Sequence, residues 1–366
     1  MNRAGNHYLI GLNLITVLTP RRLETLLGRF ESPEAIWKAP EKELATVPGI
    51  SSVVSSIVQQ RDEKAIDEEL ARCTKLGVEV VTILDSYYPS LLRQIEAPPS
   101  VLYMKGKKKV ETTRTICVVG TRRSSRYGRS VAERLAFDLA AAGLIVVSGL
   151  ALGIDAAAHK GALDSNGHTV AVLGSGLARI YPPSNRKLGE KVGQTGTLMS
   201  EYPLNTGPAK WTFPQRNRIL SGMSRGVVVV EAPRRSGALI TARLALEQGR
   251  EVFAVPGNVT STGSDGTNAL IKDGAKLVES ADDVISEFPD LNAIVGSRGV
   301  TGSSDSVSLS GVEKRVYDLV GLEPAHVDDI IARGGLTPSE VAQALFALQL
   351  KNLIEEVEGR RYTRKP

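Results

Sequence analysis

The chain has 366 residues, of which 42% are hydrophobic and 23% charged, and its net charge is +5. This length predicts two or three domains, and the composition excludes a disordered or fibrous chain. The mild excess of positive charge permits a nucleic-acid partner without requiring one. The only two cysteines are far apart in the sequence, which fits a reducing compartment. The sequence also has no apolar run of about 18 residues and no apolar signal segment. We therefore expect a cytoplasmic protein without a membrane span.

Residues 1–75 are predicted to form a small helical domain. Thr19-Pro20 and Ser32-Pro33 carry the signals of helix N-caps followed by a first-turn proline. The turn Val47-Pro-Gly-Ile-Ser51 lies between two short helical patterns and is similar to the hairpin of SAM-like and helix-hairpin-helix domains. A plain turn between two helices has the same pattern, so contact of this domain with DNA stays open.

Residues 76–288 are predicted to form the largest domain. Two strands are expected around Val78–Ile83 and Val101–Met104. From residue 115 onward, apolar strands alternate with amphipathic helices such as 127–142 and 238–249. The predicted strands are 115–119, 144–147, 169–173, 197–200, 227–230 and 251–255. This alternation predicts an α/β fold in which a parallel sheet is covered by helices on both faces.

The strongest chemical signal lies in residues 115–126. A β-branched run ends at Gly120, and three arginines follow at Arg122, Arg123 and Arg126. A strand that leads into a helix N-terminus presents free backbone N–H groups and the positive end of a helix dipole, which favour anions. With three arginines added, the stretch predicts a site for more than one phosphate. A surface loop with solvated arginines is the alternative.

Glycines recur where the predicted strands end. Four of the six loops after these strands carry glycine next to the strand, and two carry an Arg-Arg pair. The carboxyl ends of parallel strands share one edge of a sheet, where ligands bind. Candidate phosphate contacts at this edge are Gly120, Thr121, Arg122, Arg123, Arg126, Ser148, Gly149, Gly153, Gly174, Ser175, Gly176, Arg234, Arg235, Ser236 and Gly237.

The segment 210–218 places aromatic residues among cations. Its candidate contacts are Lys210, Trp211, Phe213, Arg216, Asn217 and Arg218. The rings can stack on bases while the cations meet phosphates. The alternative is that both rings belong to the core and that the arginines pair with Glu201 or Glu231.

The C-terminal part begins after a change in composition. Residues 289–311 are rich in glycine and serine, which predicts a flexible linker. Helical patterns at 312–320, 326–332 and 338–351, followed by a hairpin centred on Glu358-Gly359, predict a winged helix over 312–366. The third helix has no basic residue before Lys351, which argues against reading of a DNA major groove and favours contact with a protein.

Asp155 and His159 stand four residues apart on one predicted helix face. Such a pair can serve a metal or acid–base chemistry. No third ligand has a recognisable spacing, so a structural interpretation is favoured. Asp155 near the helix start is expected to be a capping or dipole residue, and His159 a packed or hydrogen-bonded one. The sequence predicts no metal and no cofactor.

The motifs together resemble the DprA/Smf family of bacterial DNA-processing proteins. They follow the family order over nearly all of 115–270. The matching pieces are Val119-Gly-Thr-Arg122, Ser148-Gly-Leu-Ala-Leu-Gly-Ile-Asp-Ala-Ala-Ala-His159, Gly174-Ser-Gly176, Tyr181-Pro-Pro-Ser-Asn185, Ser200-Glu-Tyr-Pro203, Phe213-Pro-Gln-Arg-Asn-Arg-Ile219, Glu231-Ala-Pro-Arg-Arg-Ser-Gly-Ala-Leu-Ile-Thr241, Val255-Pro-Gly-Asn258 and Gly266-Thr-Asn268.

The resemblance implies a Rossmann-like domain over 76–288 that binds single-stranded DNA in a basic pocket. It also implies a homodimer that is not an enzyme, protects incoming strands in natural transformation and delivers them to the RecA recombinase. Arg122 matches the arginine of the family's Gly-Ser/Thr-Arg motif, and Arg216 and Arg218 match those of its Arg-Asn-Arg motif. Lys210 lies near the second motif.

An enzyme is the alternative class. The same sheet resembles the nucleoside-monophosphate phosphoribohydrolases of the lysine-decarboxylase-like group, whose Pro-Gly-Gly-x-Gly-Thr-x-x-Glu motif supplies a catalytic glutamate. The corresponding loop here, 231–241, has no glutamate at that distance after its glycine and carries Arg234 and Arg235 instead. A dehydrogenase is disfavoured because Gly174-Ser-Gly176 lacks a third glycine.

Overall fold

Short strands of buried β-branched residues form the centre of the protein. The computed structural model describes residues 3–106, 110–291, 309–321, 324–351, 353–357 and 359–364. The strands are β1 (Glu79–Thr82), β2 (Val101–Gly106), β3 (Thr115–Val119), β4 (Ile145–Ser148), β5 (His168–Val172), β6 (Thr197–Ser200), β7 (Gly226–Val229), β8 (Glu251–Ala254), β9 (Lys276–Leu277), β10 (Ala325–His326), β11 (Ile354–Val357) and β12 (Arg361–Arg364).

The helices begin at capping residues or prolines in several places, as the sequence predicts. They are α1 (Arg3–Leu14), α2 (Pro20–Arg29), α3 (Pro33–Lys38), α4 (Glu41–Leu44), α5 (Val54–Gln59), α6 (Glu63–Leu76), α7 (Arg126–Ala141), α8 (Ile154–Asp164), α9 (Arg186–Thr195), α10 (Thr212–Gly222), α11 (Gly237–Glu247), α12 (Asp265–Lys272), α13 (Ala281–Ile285), α14 (Gly311–Leu319), α15 (Val327–Gly334) and α16 (Pro338–Leu350). Thr19 and Ser32 cap α2 and α3 through their side chains.

The main sheet has the strand order β1-β2-β6-β5-β4-β3-β7-β8-β9. Neighbouring strands from β6 to β9 are parallel, while β1 and β2 extend the β6 edge in antiparallel pairing. The chain builds outward from β3 on one side up to β6 and then returns to add β7 on the other side. This reversal is a topological switch point between β3 and β7, where ligands of such sheets bind.

Helices cover both faces of the sheet, which confirms the predicted α/β class. Alternate residues of each strand face opposite sides, so Ile116 and Val118 pack with α7, α8 and α13, whereas Cys117 and Val119 pack with α10 and α11. Cys117 is fully buried, as predicted for a strand residue. The predicted strands of this domain are present with bounds that differ by at most a few residues.

The N-terminal helices pack directly on the β2 side of the sheet. Their apolar residues form one cluster with Val101, Tyr103 and Leu198 of the strands. The Glu69 carboxylate of α6 accepts a hydrogen bond from Leu204 N at 2.7 Å. The predicted boundary at residue 75 stays a prediction, because one buried cluster spans both sides of it.

The C-terminal residues form the winged helix that the sequence predicts. Helices α14, α15 and α16 enclose a core with Val316, Ile330 and Leu345, and β10, β12 and β11 form a three-stranded sheet. Much of the predicted linker (292–308) and the predicted hairpin residue Glu358 lie outside the described residues. Within the described part of the chain, no helix combines the length and apolar content that crossing a membrane requires.

Candidate nucleic-acid interface

A groove of about 580 Å³ opens at the switch point between β3 and β7. The loop after β3 forms one wall, and the loop after β7 with the start of α11 forms another. Eleven of the residues predicted from the sequence line this groove: Gly120, Thr121, Arg122, Arg123, Lys210, Phe213, Arg216, Asn217, Arg235, Ser236 and Gly237. The strand-end loops therefore meet where the topology predicts.

An aromatic pair and an arginine form one side of the groove. The Arg122 guanidinium lies over the half-buried Phe213 ring, with its Cζ 5.0 Å from the ring centroid. The exposed Tyr181 ring is tilted against Phe213 at a centroid distance of 5.7 Å. Flat π surfaces next to a cation are suited to an unstacked base and its phosphate.

The cations of the groove face solvent. Arg122, Arg123, Lys210 and Arg235 are exposed, and none of them pairs with a carboxylate among the described residues. Ser236 caps α11 through its side chain, so the positive end of this helix also lies at the groove. These four exposed cations give the groove a positive surface.

Glu231 holds the loop that carries Arg122 and Arg123. Its backbone carbonyl accepts from Thr121 N at 2.7 Å, and its buried carboxylate accepts from the backbone N–H and the hydroxyl of Ser125 at 2.9 and 3.0 Å. The sequence predicts for Glu231 only a role as an arginine partner. In the structure, Glu231 instead accepts from two backbone N–H groups of the loop, those of Thr121 and Ser125.

Arg216 points into the protein. It is 3% exposed, and its Nη1 donates to the carbonyls of Gly149 (2.7 Å) and Val172. A side chain on Gly149 would collide with it, since a Cβ there would lie 2.4 Å from Nη1. Burial lowers the pKa of Arg216, and the nearby Asp155 opposes that shift. Although Arg216 reaches the groove wall, its guanidinium braces two strand-end loops.

Arg218 pairs with Glu201, which was the alternative to its predicted phosphate contact. Its Nη2 lies 2.6 Å from the Glu201 carboxylate, and both side chains are largely buried. Burial raises the pKa of Glu201, and Arg218 counteracts this. Trp211, by contrast, is not a core residue: it is 62% exposed and lies edge-to-face with Tyr202.

The remaining predicted contacts lie outside the groove lining. The hydroxyls of Ser148 and Ser175 are turned to the carbonyls of Val118 and Arg179. Arg126 pairs with Glu355 of the winged helix. These residues lie in the predicted loops but do not line the groove. The set is Arg126, Ser148, Gly149, Gly153, Gly174, Ser175, Gly176, Arg218 and Arg234.

Tyr181 and the α11 residues Ala238, Ile240 and Thr241 line the groove but are absent from the predicted site. Tyr181 stands in one of the motifs quoted for the family resemblance, and its position after a strand-end loop was the available signal. The sequence alone gives no reason to prefer it over other exposed tyrosines.

Asp155 and His159 both bond to protein groups, although Asp155 holds the loop before α8 and does not cap the helix. The Asp155 carboxylate accepts from the backbone N–H groups of Gly149 (3.2 Å) and Ala151 (3.4 Å), and burial raises its pKa. His159 Nδ1 lies 2.7 Å from the Thr169 hydroxyl, and burial lowers its pKa to about 3. Among the described residues, no group of three or more His, Cys, Asp or Glu side chains could hold a metal.

Comparison with known proteins gives two family matches. The family described as DNA recombination-mediator protein A matches residues 79–289, and the DprA winged helix domain matches residues 303–360. Protein Smf of Synechocystis is 32% identical over the full length of both chains. The DNA processing protein DprA of Bacillus subtilis is 39% identical over 70% of this chain and 89% of its own.

Two solved structures have the same fold. DNA processing protein A of Streptococcus pneumoniae aligns with a TM-score of 0.69 and 36% identity, covering 77% of this chain and 98% of its own. DNA processing protein A of Helicobacter pylori aligns with a TM-score of 0.52 and 29% identity, covering 60% and 96%. The family resemblance of the sequence motifs is confirmed, and this chain belongs to the DprA/Smf family of DNA-processing proteins.

Proposed function

We propose that this chain binds single-stranded DNA in the groove between β3 and β7. The observation that carries the proposal is a cluster of four exposed cations around the Arg122–Phe213–Tyr181 stack, none of which pairs with a carboxylate of the described residues. The work on the Helicobacter pylori relative describes a single-stranded DNA binding mode for that protein, which supports the same ligand class here.

The physical argument favours single strands without sequence preference. Exposed aromatic rings offer stacking to any base that is not already stacked in a duplex, and point charges bind the phosphates of any sequence. The described winged helix adds no cationic reading helix, since α16 carries no lysine or arginine. Selectivity for a base sequence is therefore not expected.

The wider role that we propose follows from the family. The chain would act as a cytoplasmic homodimer that protects incoming strands during natural transformation and loads RecA onto them for recombination. It would do so as a binding protein rather than an enzyme. Asp155 is the one acidic residue among the described groove-lining residues, and its carboxylate is occupied by backbone N–H groups. The phosphoribohydrolase alternative needs a catalytic glutamate in the loop 231–241, which has none at the required distance after its glycine.

Binding of a labelled oligothymidylate and of a blunt duplex of equal length, compared at the same salt concentration, tests the proposal. We expect clear preference for the single strand and a steep dependence on salt. Equal affinity for the duplex would contradict it, and release of adenine from AMP would favour the hydrolase. Filament formation by RecA on protein-coated strands and sedimentation of the protein alone test the loading and the dimer separately.

A further inference from the structure

The winged helix lies against the outer face of α7. A cleft of about 800 Å³ separates them, lined by Tyr127 and Phe137 on the α7 side and by Tyr317, Gly321 and Arg364 on the winged-helix side. Across one end of this contact, Arg126 forms an ion pair with Glu355 of β11. The ion pair therefore joins the first residue of α7 to the hairpin of the winged helix.

Arg126 is placed to extend the positive surface of the groove. It follows Arg122 and Arg123 on the same loop, and it stands in the first turn of α7, where the helix dipole adds positive potential. The loop is fixed through Ser125 by Glu231. The position of Arg126 is thus coupled to that of the two groove arginines.

The winged helix presents the Glu355 carboxylate at this point. Residues 312–366 contain eight lysines and arginines but nine aspartates and glutamates, whereas the whole chain has 45 and 40. Glu355 and Glu356 are adjacent on β11. A carboxylate that pairs with an arginine beside a phosphate-binding groove occupies the kind of position that a phosphate takes.

We propose that the winged helix and single-stranded DNA compete for Arg126. In the DNA-free protein Glu355 holds Arg126 and keeps the winged helix on α7. A strand that leaves the groove along the Arg122–Arg126 loop places a phosphate at Arg126, which replaces Glu355 and frees the winged helix. This inference rests on the proposed function of the groove and adds its regulation.

The contact is weak enough to exchange. The Arg126 side chain is 53% exposed and that of Glu355 is 37% exposed, so water and salt screen their attraction. Loss of the pair is expected to change strand affinity by roughly two- to fivefold. Such a shift regulates binding without abolishing it.

Glu355→Gln tests the competition in the full-length protein, with Glu356→Gln as the matched control that removes the same charge from the same strand. We expect Glu355→Gln to bind oligothymidylate roughly two- to fivefold tighter than wild type, and Glu356→Gln to bind like wild type. Hydrogen exchange at the start of α7 and in β11 should rise in Glu355→Gln without DNA. The same rise should appear in wild type when oligothymidylate is added.

Arg126→Ala, alone and combined with Glu355→Gln, completes a double-mutant cycle for this ion pair. It should cost more affinity in the Glu355→Gln background than in wild type, because only the unpaired arginine is free for phosphate. If Glu355→Gln binds no tighter than Glu356→Gln while Arg122→Ala still weakens binding, the proposed competition is contradicted and the groove remains the proposed DNA site. If Arg122→Ala also leaves binding unchanged, the groove itself is not the DNA site and both proposals fall.

Discussion

Arginines that look alike in the sequence have opposite surroundings in the folded protein. Arg122 and Arg123 are exposed on a loop, whereas Arg216 and Arg218 extend from α10 into buried sites and bond to carbonyls or to Glu201. A buried guanidinium that already donates to protein acceptors has less to offer a phosphate than an exposed one. The two groups should therefore respond differently to substitution.

Arg122→Ala should weaken single-strand binding roughly tenfold for all sequences, which corresponds to about 1.4 kcal/mol. Loss of one phosphate contact should also lower the slope of log affinity against log salt by about 0.7. Arg122→Lys should restore part of the affinity, because the charge remains while the planar group over Phe213 is lost. The measurement is a salt series of binding titrations, with Arg29→Ala on the exposed end of α2 as the charge-matched control.

Arg216→Ala is the contrasting substitution. It leaves the carbonyls of Gly149 and Val172 without this donor and removes the cation near the buried Asp155. Breaking such a buried arrangement should lower the free energy of unfolding by about 3 kcal/mol or more. Urea unfolding measures this loss. A variant of normal stability that no longer binds DNA would instead assign Arg216 a direct contact.

His159 gives a pH dependence of stability. Burial lowers its pKa to about 3 in the folded protein, against about 6.5 in an unfolded chain. Between these values only the unfolded chain binds the proton, so the free energy of unfolding falls as pH decreases, by about 1.4 kcal/mol per pH unit. Urea unfolding of wild type and His159→Asn at about pH 7 and about pH 5 should show a smaller loss in the variant. Equal losses would contradict the buried neutral histidine.

At the scale of elements, hydrophobic periodicity predicted the structure well. The bounds of β3 and β6 agree with the predicted strands, and the three helices of the winged helix lie where their patterns place them. The missed strands β9 and β10 have two residues each, which is too short to show a period. They form because a neighbouring strand offers unpaired backbone groups, which depends on the tertiary fold.

The candidate site was less predictable for a related reason. Strand-end glycines and arginines located the edge of the sheet where the groove lies, because parallel topology brings those loops together. Packing between α10 and the loops after β4 and β5 decides which arginine side chains face solvent. The spacing of residues along the chain does not show this packing. Arg218 and Gly176 were placed in the site by motif position, yet both lie outside the groove lining.

The third helix of the winged helix gives a prediction about the tail. The α16 helix has no lysine or arginine and exposes Phe346 and Leu350. Truncation after residue 291 should therefore leave the fold intact and the affinity for oligothymidylate within about fivefold of wild type, on the tighter side if Glu355 competes. Thermal melting and binding titrations measure the two effects. Loss of most of the affinity would make the winged helix a DNA reader.

At the scale of the whole molecule, the two ends of the chain are attached in different ways. The winged helix has its own buried core, and the ion pair that joins it to α7 is partly exposed to solvent. The N-terminal helices instead complete a core that includes the strands β2, β5 and β6. The sequence predicts a small domain at each end of the chain. The two ends nevertheless differ in how much they contribute to the stability of the sheet domain.

Deletion of residues 1–76 should consequently destabilise the sheet domain, whereas deletion of the tail should not. It exposes Val101, Tyr103 and Leu198, which are at most 3% exposed in the full chain, and it removes the Glu69 carboxylate from Leu204 N. Uncovering several large apolar side chains should cost roughly 5 kcal/mol or more.

Urea unfolding and light scattering of the shortened protein measure the effect, with the tail truncation as the control for loss of a terminal segment. We expect a lower unfolding midpoint and association at micromolar concentration, because the uncovered sheet face is a contiguous apolar surface. Substitution of Leu198 by Ser within the deletion variant should reduce the association without restoring stability. A shortened protein that is as stable as the full chain would instead mean that residues 1–75 form an independent domain, as the sequence pattern predicts.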